Sequence, residues 1–162
     1  MSEPLHPIVH DIPEASRADL VALLNTRLAD TADLYSQVKQ AHWNVKGIHF
    51  QTLHELFDKV AEAVEPYVDE LAERVTGLGG TARGTVRMAA AASSLPEYPI
   101  DAVDGDTHLG LVRDRLAAYA ADNRGAIAAA ADLDDAATEG LLVDIQSVVD
   151  LHLYFVQSHL PG

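Results

Sequence analysis

A chain of 162 residues with a net charge of −14 is long enough for one domain with a substantial core, and its body repels nucleic acid and attracts cations. It has no cysteine, which excludes disulfides and thiolate metal sites, so any metal must sit on histidine, carboxylate, carbonyl or water. The apolar fraction of 48% is that of a globular protein; no basic-then-apolar leader pattern or membrane-length apolar run is seen, and a soluble, cytoplasmic protein is the expectation.

Residues 1–14 carry Pro4, Pro7 and Pro13 without apolar periodicity and read as an extended arm ahead of a domain over residues 15–160. From about Ser16 to Val45 the positions of Leu20, Leu23, Leu24, Leu28, Leu34, Tyr35 and Val38 predict a long amphipathic helix, broken at Gly47. A second helix is expected from about Phe50 to Leu78, stopping at Gly79-Gly80, with Pro66 inside it as a source of a kink. Residues 80–106, with Ser93-Ser94, Pro96 and Pro99, read as a long connection holding a short helix at Val86–Ala92. A third helix is expected over about Asp106–Ala131 and a fourth over about Asp135–His159. Four long helices with one long link between the second and third describe an all-α up-down bundle with a crossover.

The chemistry is concentrated between His42 and Glu73. His54 and Asp58 are four apart, as are Asp69 and Glu73, so each pair lies on one helix face. With His54 at zero, Asp58, Asp69 and Glu73 fall at about 40°, 60° and 100° around a helix, which makes one stripe. Asp58 and Asp69 are nevertheless roughly 16 Å apart along the axis, at about 1.5 Å per residue. Metal–ligand bonds to nitrogen or carboxylate oxygen are only about 2.0–2.2 Å long, so one helix cannot bring both pairs to one ion. Two antiparallel copies related by a twofold axis can, which predicts a homodimer with two equivalent shared sites. His42, at the end of the preceding helix, is a candidate fifth ligand. An ordinary solvated face is the competing reading of any one of these residues. Against it, the stripe runs among Leu53, Leu56, Phe57, Val60, Val68, Leu71, Ala72 and Val75, where unpaired charge is costly.

The segment AHWNVKGIHFQTLHELFDKVAEAVEPYVDELAERVTGLGG resembles the signature region of the Dps (DNA protection during starvation) family of mini-ferritins. His42-Trp43-Asn44, His54-Glu55, Asp58, Asp69 to Arg74 and Leu78-Gly79-Gly80 stand in the family's order and spacing, and Asp150 with Leu153-Tyr154-Phe155 matches its last helix more loosely. The resemblance implies a ferritin-like four-helix subunit with a short crossover helix, in a hollow shell of twelve. It also implies ferroxidase centres at the twofold interfaces, with His42, His54 and Asp58 from one subunit and Asp69 and Glu73 from its partner. There Fe(II) is oxidised, preferably by hydrogen peroxide, and the ferric product is stored in the cavity. Anionic oxygen ligands favour the ferric product, and Glu73 is the expected firm carboxylate ligand. His42 and His54 are expected to leave a position open for peroxide. Trp43 is implied as an electron donor that quenches stray radicals; packing at an interface is its other reading.

The family's DNA contacts come from basic tails. Residues 1–16 hold no Lys or Arg, and the sequence stops at Gly162 just past the last helix, so direct DNA binding is not expected. A nucleoid-coating protein is the alternative function, and a silent helical oligomer a further rival. A classical ferritin would need Glu-x-x-His pairs inside the bundle, and the one such pair, Glu3 to His6, falls in the arm. His6 and His10 could form a metal site on the arm, whereas His49, His108, His152 and His159 read as packing or surface. Asp122, Asp132, Asp134 and Asp135 are candidates for an iron-entry pore, with Asp134 the single choice.

Overall fold

Pro13, with φ −55° and ψ 144°, leads into the first helix and accepts the Arg17 N–H at 3.0 Å. The structure, a computed structural model, describes residues 4–161. The first three arm residues, Glu3 of the Glu3–His6 pair among them, and Gly162 lie outside the described residues. Helix α1 spans Glu14–Asn44, with Glu14 in its first turn at the positive end of the helix dipole. Leu20, Leu24 and Leu28, at successive i,i+4 positions, are fully buried, as is Leu34.

The expected second helix is interrupted where the sequence places its proline. Helix α2 covers Phe50–Val64 and α3 covers Pro66–Gly77. Pro66 has no N–H to donate, and the Val68 N–H closes back on the Glu65 carbonyl at 3.1 Å. Glu65 keeps helical angles, φ −51° and ψ −45°, so the chain continues through the break. The buried residues Leu53, Phe57, Val60, Val64, Leu71, Val75 and Leu78 follow one near-heptad stripe across it. Burial of one continuous face therefore outweighs the loss of a single backbone hydrogen bond.

The crossover contains α4 (Val86–Ala92), begun by Thr85 Oγ1, which accepts the Met88 N–H at 3.3 Å. Its return is pinned to the bundle by polar contacts. The buried Asp30 carboxylate, held by Arg27, accepts the Ser94 N–H at 2.6 Å. Gln37 donates to the Pro96 carbonyl at 3.0 Å and Arg115 to the Glu97 carbonyl at 2.9 Å. Helix α5 (Gly105–Asp132) is capped by Asp104, and α6 (Ala136–Gln157) by Asp135. The turn between them, Leu133 to Asp135, places Asp134 at φ 58° and sets the two helices side by side. Helix α1 packs on α2, α3 and α5. The Lys46 N–H donates to the Val103 carbonyl at 3.0 Å, which ties the α1–α2 loop to the start of α5. The result is the all-α, four-helix architecture with a long crossover between the second and third long helices.

The arm is held against the far end of α3. The His6 N–H donates to the Gly79 carbonyl at 2.7 Å, and Gly79 adopts φ +85°, the left-handed turn glycine permits. Arg17 locks the corner by donating to the Leu78 carbonyl at 3.0 Å and the Ile12 carbonyl at 3.2 Å. At Gly80 a Cβ would meet both Val21 methyls at 2.5 and 2.6 Å, so the chain passes too close for a side chain.

Candidate metal centre

Helix α1 ends at Asn44 and α2 begins at Phe50, so the loop between them folds His42 back onto His54. The two rings stack at 3.7 Å with an interplanar angle of 22°. Each is fixed by the other's backbone: His42 Nδ1 lies 2.8 Å from the His54 carbonyl, and His54 Nδ1 lies 2.8 Å from the His42 carbonyl. A carbonyl only accepts, so each Nδ1 carries the proton and donates. That leaves Nε2 of each ring as the nitrogen on which a metal could be bound. Phe50 leans on His54 at 5.0 Å between ring centroids.

Asp58, one turn after His54, has its side chain 38% exposed. Its Oδ1 accepts from Lys39 Nζ at 2.6 Å and lies 3.8 Å from His42 Nδ1. The hydrogen bond from Lys39, reinforced by the charge of that lysine and the neighbouring histidines, holds the Asp58 carboxyl below its ordinary range. The same bond raises the Lys39 ammonium above its own. Lys39 Nζ also sits over the Trp43 ring at 5.9 Å from the centroid, and Trp43 is 64% exposed. Lys39 was not singled out in the sequence. Its signal was its place one turn before His42 on α1, in a chain with only three lysines.

Asp69 and Glu73 occupy exposed positions on α3, and neither makes an ion pair among the described residues. Within one chain, no three His, Asp or Glu side chains among the described residues gather into a group able to hold a metal ion. The structure thus brings together His42, His54 and Asp58, sets Trp43 beside them through Lys39, and leaves Asp69 and Glu73 apart. Ile48, at 96% exposure, extends the apolar surface around the His42–His54 end.

The other histidines and the acidic turn resolve differently. His6 Nε2 contacts Thr81 Oγ1 at 3.3 Å, while His10 Nδ1 accepts the Ile12 N–H at 3.1 Å, so the two serve separate local contacts. His49 is exposed at the start of α2, His159 bonds the Phe155 carbonyl at 2.8 Å, and His108 is fully buried. Asp135 departs from the pore grouping. It is 4% exposed and is gripped by Arg74 at 2.6 and 2.8 Å and by Thr138. Burial pushes its carboxyl up, but the Thr138 and Arg74 bonds outweigh that and hold it low. Asp135 caps α6 and joins it to α3, whereas Asp122, Asp132 and Asp134 are exposed.

This bundle and crossover define a ferritin-like subunit, and residues 21–161 match the ferritin-like domain family. The chain is 32% identical over 155 residues to a DNA protection during starvation protein of Agrobacterium fabrum, covering 96% of each chain. It superposes on DpsA14 from Streptomyces coelicolor with a TM-score of 0.92 at 32% identity, covering 99% of this chain and 96% of that one. A Mycobacterium smegmatis Dps structure gives 0.91 at 27% identity, over 100% and 96% of the two chains. The chain belongs to the Dps family of ferritin-like proteins, a family of iron storage and DNA protection. Among the described residues no helix is long and apolar enough to cross a membrane.

Proposed function

We propose that the protein is a ferroxidase that oxidises Fe(II), preferably with hydrogen peroxide, and stores the ferric product inside a hollow shell built on twofold dimers. The observation that carries this reading is the prepared half-site: two stacked imidazoles, each held through Nδ1 by the other's backbone carbonyl, beside an ionised Asp58. Beyond Asp58 it lacks the oxygen ligands an iron substrate needs, and Asp69 and Glu73 stand exposed elsewhere on the same subunit, with no ion pair among the described residues. An antiparallel partner supplies its Asp69 and Glu73 to each half-site, and the exposed Trp43, Ile48 and Phe50 surface is covered in the process.

In that arrangement the imidazoles bind iron through Nε2, and the carboxylates stabilise the ferric state more than the ferrous one. Two electrons pass from two Fe(II) substrates to one hydrogen peroxide, which with two protons leaves as two waters. Trp43 stands beside the site as a donor to stray one-electron oxidants. Direct DNA binding does not accompany this function, because the chain carries a net charge of −14. The nucleoid-coating alternative requires a shift of duplex DNA in a gel at low salt.

The test is anaerobic loading of the purified protein with Fe(II), then stoichiometric peroxide, with ferric absorbance and particle size followed together. Rapid oxidation with iron retained on a shell-sized particle supports the reading. Oxidation no faster than buffer overturns it.

A further inference from the structure

Tyr98, on the returning limb of the crossover, is paired with a histidine that the metal centre does not use. Its hydroxyl lies 2.6 Å from Nδ1 of His108, and the two rings are nearly parallel, at 5.9 Å and 16°. His108 is fully buried, with Phe57 at its edge, and Tyr98 is 8% exposed. The direction of the hydrogen bond follows from the other ring nitrogen. Nε2 of His108 has no hydrogen-bond partner among the described residues, and the Asp104 charge and the backbone of Ala102 and Asn44 act on the ring as a whole to favour its protonated form. In the tautomer with its proton on Nε2, Nδ1 is the acceptor and the Tyr98 hydroxyl donates. Burial holds His108 below its ordinary value of 6.5, so the resting ring is neutral, while the Asp104 charge acts the other way and favours the imidazolium.

Two further features bear on what such a pair can do. Tyr98 and Trp43 line one groove of about 540 Å³, together with Gln37 and Gln40 of α1. The Arg115 guanidinium stands over the Tyr98 ring, 5.8 Å from its centroid. That cation opposes positive charge on the phenol. Tyr98 can therefore give up an electron only if its proton departs at the same time, and His108 Nδ1 is placed to receive it.

We propose that Tyr98 and His108 form a proton-coupled electron donor that restores Trp43 after a one-electron oxidant has taken an electron from it. The inference rests on the reading of Trp43 as an electron donor. The oxidant is a hydroxyl radical, the one-electron product of Fe(II) and peroxide. It takes one electron from Trp43 and becomes hydroxide, and the indole N–H proton is lost to water, leaving a neutral indolyl radical. One electron then passes from Tyr98 to Trp43, whose nitrogen regains a proton from water. The Tyr98 O–H bond breaks and its proton moves to His108 Nδ1, giving a tyrosyl radical and an imidazolium balanced by the nearby Asp104 carboxylate. One Fe(II) reduces the tyrosyl radical, becoming Fe(III), and the proton returns from His108 to the phenolic oxygen. Over the cycle one hydroxyl radical and one Fe(II) become hydroxide and Fe(III).

The test uses the intact, iron-free protein and azide radicals generated by pulse radiolysis, which oxidise the single tryptophan. Because no iron takes part, the result is independent of whether the metal centre is a ferroxidase. In the unaltered protein the indolyl absorbance decays as a tyrosyl absorbance grows with matched kinetics, and both phases slow in heavy water. Tyr98→Phe abolishes the growth and prolongs the indolyl radical while leaving Tyr35, Tyr67, Tyr119 and Tyr154 in place. His108→Gln, which keeps a polar group but cannot accept the proton, slows the transfer without removing Tyr98. Absence of tyrosyl growth in the unaltered protein, or unchanged growth in Tyr98→Phe, overturns the proposal.

Discussion

The two ends of the interrupted α2–α3 helix are prepared to very different degrees. At the His54 end, reciprocal backbone bonds fix two ring orientations, and a lysine holds the Asp58 carboxylate by a hydrogen bond. At the Glu73 end, Asp69 and Glu73 stand exposed on α3 with no ion pair among the described residues. Imidazole must be set in one tautomer before it can bind a metal, whereas a carboxylate is ionised and ready at neutral pH without help. On the proposed reading, the half that needs orientation is given it by its own subunit, and the half that does not is left for an encounter with another.

The largest break in this comparison is expected from Glu73→Gln, which keeps the shape and removes the anionic ligand. Iron oxidation should slow by at least about 10–100-fold, the range for loss of even an outer-shell partner of a metal site, while particle size is retained. Unchanged stopped-flow kinetics would remove Glu73 from the centre.

Chain mixing tests which subunit supplies each ligand. His54→Ala and Glu73→Gln chains should each be inactive alone, but unfolded together and reassembled they pair an intact histidine end with an intact carboxylate end. Random pairing should restore about a quarter of the sites. No recovery would mean that each subunit makes its own centre.

A smaller effect is expected from Lys39→Ala. The Asp58 carboxyl should rise toward its ordinary value, seen in a carboxylate titration by NMR. Fe(II) should bind more tightly, because a competing cation has gone. Weaker binding would show that Lys39 positions Asp58 rather than competing for it.

The smallest effect concerns the part of the bundle away from the metal centre. Burial lowers His108 and His152 below 6.5, so the folded chain keeps them neutral where the unfolded chain protonates them. The unfolded state then binds more protons, and stability should fall as pH drops below about 6.5. Denaturant midpoints across that range measure the fall, and His152→Phe should flatten it.

How far the sequence could be read depended on how local the information was. The helices were legible because each carries its own apolar period, and even the stripe from Leu53 to Leu78 could be followed through Pro66. The pairing of His54 with Asp58 and of Asp69 with Glu73 is likewise a matter of turns along one helix. Pro66 reads from the sequence as a point of interruption, and the helix divides there into α2 and α3, with Glu65 keeping helical angles between them. Asp135 looked like any other residue of an acidic turn until Arg74, far away in sequence, was found holding it.

Local sequence sets the helices and the stripe of candidate ligands, together with the axial separation that prevents one helix from closing a site. These follow from rise per residue and apolar period, which need no knowledge of the rest of the chain. Only the tertiary structure decided the His42–His54 stack, the Lys39–Asp58 bond and the Tyr98–His108 pair. Each joins segments whose approach is set by the packing of the whole core, and hydrogen bonds act only once that packing has brought their atoms within about 3 Å.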